Sequence, residues 1–154
     1  MRQMNLGLAA PNLVCICVDN VKDNRIEGRI YHYYAEKPEI IKDTMQLLRI
    51  LEAFYDQIDF PQAAEQLREF VNDSDEVKRR KRLPRPVTNR EFMMKQSGTC
   101  GTFLLYVQYR QNATWQGQIM WKERGKTLEF RSALEFLILL DNALAAYKEQ
   151  NIIT

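Results

Sequence analysis

Residues 26–31, Ile26-Glu27-Gly28-Arg29-Ile30-Tyr31, lie in register with residues 115–120, Trp115-Gln116-Gly117-Gln118-Ile119-Met120. The apolar pattern continues without a gap on both sides. Ile41 falls on Phe130, Met45 on Leu134, Leu47 on Phe136 and Leu48 on Leu137. Ile50, Leu51 and Tyr55 fall on Leu139, Leu140 and Leu144, and upstream Ile16 and Val18 fall on Leu105 and Val107. This register and the shared glycine point to one unit used twice, over about 13–58 and about 103–149.

The unit reads as strand, strand, short strand, helix. In the second copy Phe103–Arg110 is rich in Phe, Leu, Val and Tyr and suits a strand. Thr114–Lys122 alternates, with Trp115, Ile119 and Trp121 on one face and Gln116, Gln118 and Lys122 on the other. Leu128 and Phe130 of a short strand, Thr127–Arg131, face inward. Ser132 with Glu135 forms a capping box, so a helix starts there, with Leu134, Leu137, Ile138, Leu140, Leu144 and Tyr147 as its apolar side. The first copy has strands at Leu13–Asp19, Arg25–Tyr34 and Glu39–Ile41, then a helix from Asp43 to about Ile58, capped by Asp43 with Gln46. Turns of two to five residues join the strands, so the pairs are antiparallel. Gly28 and Gly117 fall on the inward strand face, where a missing side chain lets a helix backbone approach; a β-bulge is the alternative.

Between the copies, Pro61 ends one helix and opens another, over about 62–72, followed by a basic linker over 73–92. The expected fold is therefore α+β, a single domain spanning 1–154, with two pseudo-repeated antiparallel β-β-β-α units and an extra helix and basic loop between them. The two sheets either join edge to edge or pack as layers.

The 154 residues are 45% apolar and 27% charged, which is ordinary for a globular chain and excludes collagen-like and disordered classes. Net charge is +2, too balanced to indicate nucleic acid from totals. Residues 71–100 nevertheless hold 8 basic against 4 acidic side chains. Three cysteines, Cys15, Cys17 and Cys100, do not make a secreted disulfide framework, which points to a reducing compartment. A zinc site needs more ligands than these and His32 supply. The N-terminus makes a poor export signal and no apolar run is long enough to span a membrane, so the cytoplasm is the expected location.

No nucleophile elbow, P-loop, dinucleotide fingerprint or metalloprotease motif occurs. His32, the single histidine, aligns with Trp121 on the inward face and reads as a core or edge residue. The chain is therefore expected not to be an enzyme, with no catalytic, cofactor-binding or metal-ligating residue assigned. Two other constellations remain. Lys78, Arg79, Arg80, Lys81, Arg82 and Arg85 place six cations within eight residues, a pattern suited to phosphate contact or to a solvated linker. The strand face opposite the helices would display Arg29, Tyr31, Tyr33, Tyr106, Gln108, Arg110, Gln116 and Gln118. That composition suits a protein interface or base stacking.

Arg110-Gln111-Asn112-Ala113-Thr114-Trp115-Gln116-Gly117 and Phe130-Arg131-Ser132-Ala133-Leu134-Glu135 resemble segments of a group of short, functionally uncharacterised bacterial proteins. The resemblance covers most of both units and implies a bacterial domain, without an activity, cofactor or partner. The turn also faintly resembles the second motif of PilZ domains, but the arginine pair of the first motif is missing. The leading expectation is a non-enzymatic binding or adaptor protein, with a protein partner or a second copy across the sheet face or edge. The alternative is nucleic-acid binding through the 78–85 arm, and a small-molecule enzyme comes third. No cofactor and no membrane are implied.

Overall fold

The computed structural model describes residues 10–23, 25–61, 83–111 and 114–152. Strand β1 (Val14–Lys22), β2 (Arg25–His32) and β3 (Glu39–Ile41) precede helix α1 (Thr44–Ile58). A short helix α2 (Arg90–Met94) follows, then β4 (Gly101–Gln111), β5 (Thr114–Trp121), a 3-10 turn (Lys122–Arg124), β6 (Lys126–Phe130) and helix α3 (Ala133–Ile152). The protein is thus α+β, with six antiparallel strands in one sheet and three α-helices among the described residues. The sheet order is β3-β2-β1-β4-β5-β6. Of the two arrangements left open by the sequence, the halves join edge to edge: β1 pairs with β4, Val14 opposite Leu105 and Val18 opposite Gly101. The expected helix over 62–72, the linker as far as residue 82 and the turn residues Asn112 and Ala113 lie outside the described residues.

Alternation in the strands sends Val14, Ile16, Val18, Ile30, Phe103, Leu105 and Ile119 to one face. There they meet Leu47, Leu51, Phe54 and Ile58 of α1 and Phe136, Leu140 and Leu144 of α3. Both helices start at the expected caps. Asp43 Oδ1 accepts from Gln46 N at 2.7 Å, and Gln46 Oε1 accepts from Lys42 N at 2.8 Å. Ser132 Oγ accepts from Glu135 N at 3.0 Å, and Glu135 Oε1 accepts from Arg131 N at 2.7 Å. In both boxes the reciprocal bond reaches the residue before the cap rather than the cap itself.

Two facing assignments change. On α3 the buried stripe is Phe136, Leu140, Ala143 and Leu144, while Leu134 and Ile138 are 67% and 50% exposed. At 100° per residue those two turn away from the 136–140–144 line. On β4 the register shifts between Val107 and Tyr109, and on β1 between Val18 and Asn20. Each shift is a β-bulge facing a glycine: Gly28 pairs with Val18, Gly117 with Val107.

The glycines are required by these bulges, not by a close helix. A Cβ on Gly28 would overlap the Cys17 carbonyl oxygen, and one on Gly117 would overlap the Tyr106 carbonyl oxygen and press on the Val107 Cα. Gly117→Ala is therefore expected to cost about 2–4 kcal/mol, most of the penalty of Gly117→Val, because the first side-chain carbon already collides. Chemical denaturation of both variants measures this. An Ala variant as stable as the wild type would remove the bulge as the reason for the glycine.

Candidate interaction surface

The face opposite α1 and α3 carries Leu13, Cys15, Cys17, Tyr31, Tyr33 and Leu104, as the alternation requires. It is not open. Residues 83–97, of which 83–92 were expected to be the end of the basic linker, run back over it. Asn89 Oδ1 caps α2 by accepting from Phe92 N at 2.9 Å, and Met93 drops into the sheet face fully buried. Val87 N and Thr88 N both donate to the Tyr33 carbonyl, at 2.7 and 3.1 Å. Lys122 Nζ donates to the carbonyls of Met94 and Gln96. Phe92 meets the Tyr31 ring edge-on at 5.9 Å.

The strap covers some of the eight expected strand-face residues and not others. Tyr31 and Tyr33 are buried, so neither ring is presented for stacking. Arg29 binds Asp19 in a two-pronged ion pair at 2.9 and 3.1 Å and donates to Tyr31 Oη and the Ser97 carbonyl, both at 2.7 Å. It is a clamp between sheet and strap. Tyr106, Gln116 and Gln118 are half-buried, and Gln108 is exposed.

Arg110 is on the other face altogether. The bulge at Val107 inverts the alternation beyond it, and the guanidinium enters the helix layer with 3% of its surface exposed. There Nε donates to the Pro61 carbonyl at 2.7 Å, Nη1 to Asp56 at 2.7 Å, and Nη2 to the Tyr55 carbonyl at 3.4 Å. Glu52 lies 3.4 Å from Nη1 and accepts from Trp115 Nε1 at 3.2 Å. Arg110 thereby fastens β4 to the C-terminal end of α1. Its donors are committed within the protein.

The groups with catalytic potential are similarly occupied. His32 stacks on Phe54 at 4.3 Å, and its Nδ1 accepts from Tyr34 N at 3.1 Å. Burial lowers its pKa to about 4, so it is neutral at pH 7. Cys15 and Cys17 are buried under the strap with sulfurs 3.8 Å apart. Their mutual hydrogen bond raises the Cys15 thiol and lowers Cys17. Among the described residues no cluster of three or more His, Cys, Asp or Glu side chains is placed to hold a metal ion. No helix there is long and apolar enough to cross a membrane. Of the basic run, Arg85 is exposed, and Lys78, Arg79, Arg80, Lys81 and Arg82 lie outside the described residues.

One open region is the β6 side of the molecule. Among the described residues β6 pairs only with β5, so its outer edge is unpaired. Beside it, between sheet and α3, opens a cleft of about 270 Å³. Phe103, Ile119, Trp121, Leu128, Leu139 and Ala143 give it apolar walls, and Lys126 and Asn142 add polar atoms. Leu128, expected to be buried, is 42% exposed. It does point to the helix side, but no part of α3 covers it fully. The sequence reading named a sheet edge without saying which, and it missed the strap. The one local signal for the strap was Phe92-Met93-Met94, an apolar triplet behind an Asn cap within a charged linker.

The His32 environment makes a pH prediction. The unfolded histidine titrates near 6.5 and the folded one near 4, so the unfolded chain binds more protons between those values. The contribution is complete above pH 6.5 and is lost as pH falls toward 4, by up to about 2 kcal/mol after allowing for partial solvent contact. Melting curves of wild type and His32→Phe between pH 7 and 4 test it, and the variant should show the shallower decline. Comparison with protein-family models, curated proteins and solved structures finds no match to this chain.

Proposed function

We propose that this chain is a non-enzymatic binding protein that takes a protein partner along β6 by strand addition. The observation that carries this reading is the unpaired β6 edge lying directly beside an apolar cleft. A strand laid on that edge gains main-chain hydrogen bonds, and alternate side chains reach the cleft, which gives specificity. The opposite edge is less suitable: β3 has three residues and follows Pro38. The strap covers the strand face around Tyr31 and Tyr33, which moves the proposed surface from face to edge.

The non-enzymatic part rests on the commitment of His32, Arg110 and the two buried thiols to internal contacts. A reducing cytoplasm suits those thiols. Nucleic-acid binding through the 78–85 arm is the weaker reading, because two of the three tyrosines of its expected stacking face, Tyr31 and Tyr33, are buried and Tyr106 is half-buried. We also infer that the halves are two copies of one β-β-β-α unit. Both place a glycine opposite a bulge in the preceding strand, and both start the final helix with the same two-bond cap.

Peptide display against the wild-type protein, with counter-selection on Leu128→Lys, tests the edge. Enriched peptides should alternate apolar residues and shift the emission of Trp121, which lines the cleft. Selection of no sequence, or of sequences that bind Leu128→Lys equally, would sink the reading.

A further inference from the structure

We infer that the partner seated on β6 is a second copy of this chain, paired β6 to β6 about a two-fold axis through Leu128. This rests on the protein-binding reading above and names its occupant.

The argument begins with closure. Among the described residues each copy has two sheet edges, β3 and β6. Joining β6 to β3 of the next copy is head-to-tail and leaves an edge free, so it continues as a filament. Joining β6 to itself closes. A two-fold axis perpendicular to the sheet makes that pairing antiparallel and extends both six-stranded halves into one sheet.

Register follows from the side chains. A slip of one residue puts helix-side residues opposite residues of the other face, so only even shifts are open. Full overlap of Lys126–Phe130 centres the strand on Leu128, which then meets its own copy. In this register Thr127 faces Glu129, Lys126 faces Phe130, and no like charges stand opposite each other. Centring on Glu129 opposes two carboxylates, which destabilises a strand pair. Centring on Thr127 leaves Glu129 and Phe130 outside the overlap. The one exposed large apolar side chain of β6 is therefore the one that symmetry brings together. It also lies at the cleft, so a Leu128 pair covers apolar wall on both copies.

Five paired residues and one leucine pair make a small interface, so the dimer is weak, with Kd on the order of tens of micromolar. Sedimentation velocity over a wide concentration range should show wild-type mass rising from monomer to dimer. Leu128→Glu and Leu128→Lys each set like charges on the axis and should each raise Kd by about tenfold or more. Mixing the two variants should restore a heterodimer, which also shows that both are folded. Hydrogen exchange at β6 amides should slow as wild-type concentration increases.

A wild type that stays monomeric throughout overturns the inference. So does dimerisation that survives in both variants, because the contact then lies elsewhere. A monomer that still binds the selected peptides with a Trp121 response refutes self-pairing and keeps the protein-binding reading. A monomer that binds none refutes both.

Discussion

Two bulges, one in each central strand, hold the architecture together. At each, a backbone carbonyl swells toward a position that only glycine can occupy, Gly28 in one case and Gly117 in the other. A bulge leaves backbone groups without ladder partners, and here each is answered from the segment leading into the opposite central strand. Cys100 N donates to the Val18 carbonyl at 2.7 Å. Asn12 Nδ2, itself fully buried, donates to the Val107 carbonyl at 2.8 Å. The β1–β4 seam is thus locked at both ends by the irregularities of its own strands. Unmade, such buried bonds would cost about 1–3 kcal/mol each.

The β4 bulge also selects what enters the helix layer. Without it Arg110 would continue the outward alternation of Tyr106 and Gln108. With it, the guanidinium reaches the end of α1 and meets two carbonyls and two carboxylates there. Such a group is tolerable inside only because its donors are met. The tie links the second half of the sheet to the helix of the first, so the halves share a core although they meet edge to edge.

Strand positions, the starts of α1 and α3 and the strand side of the helix-facing core were legible because each rests on local pattern: period two or a cap residue with its partner. Ser132 with Glu135 and Asp43 with Gln46 needed no tertiary information. Facing beyond the bulges was not legible, since a one-residue insertion inverts every later side chain and a glycine alone does not say whether it opposes a bulge or a helix. Arg110 was misplaced for that reason. Tyr31 and Tyr33 were placed on the correct face and wrongly left open, because the strap that covers them comes from sixty residues away and is bound mainly through backbone carbonyls. Backbone acceptors leave no mark in a sequence.

The strap has a consequence for where binding can occur. An antiparallel sheet with one face on the core ordinarily keeps its second face for solvent or a partner. Here the second face holds its own small apolar cluster under α2, with two thiols, two tyrosines and a buried methionine. The second face is thus covered around β1 and β2, and among the described residues the sheet's remaining unpaired backbone lies at its rims. At the β3 rim the strand is short, preceded by Pro38, and its following amide, Lys42 N, is taken up by the Gln46 cap. At the β6 rim the strand is longer and interrupted by neither proline nor glycine, and it carries an exposed leucine at its midpoint. Lys126 and Glu129 flank that leucine, charges of the kind that discourage indiscriminate pairing at an edge. A rim that combines such charges with a central apolar contact favours one register over many, which is what separates a specific strand partner from aggregation.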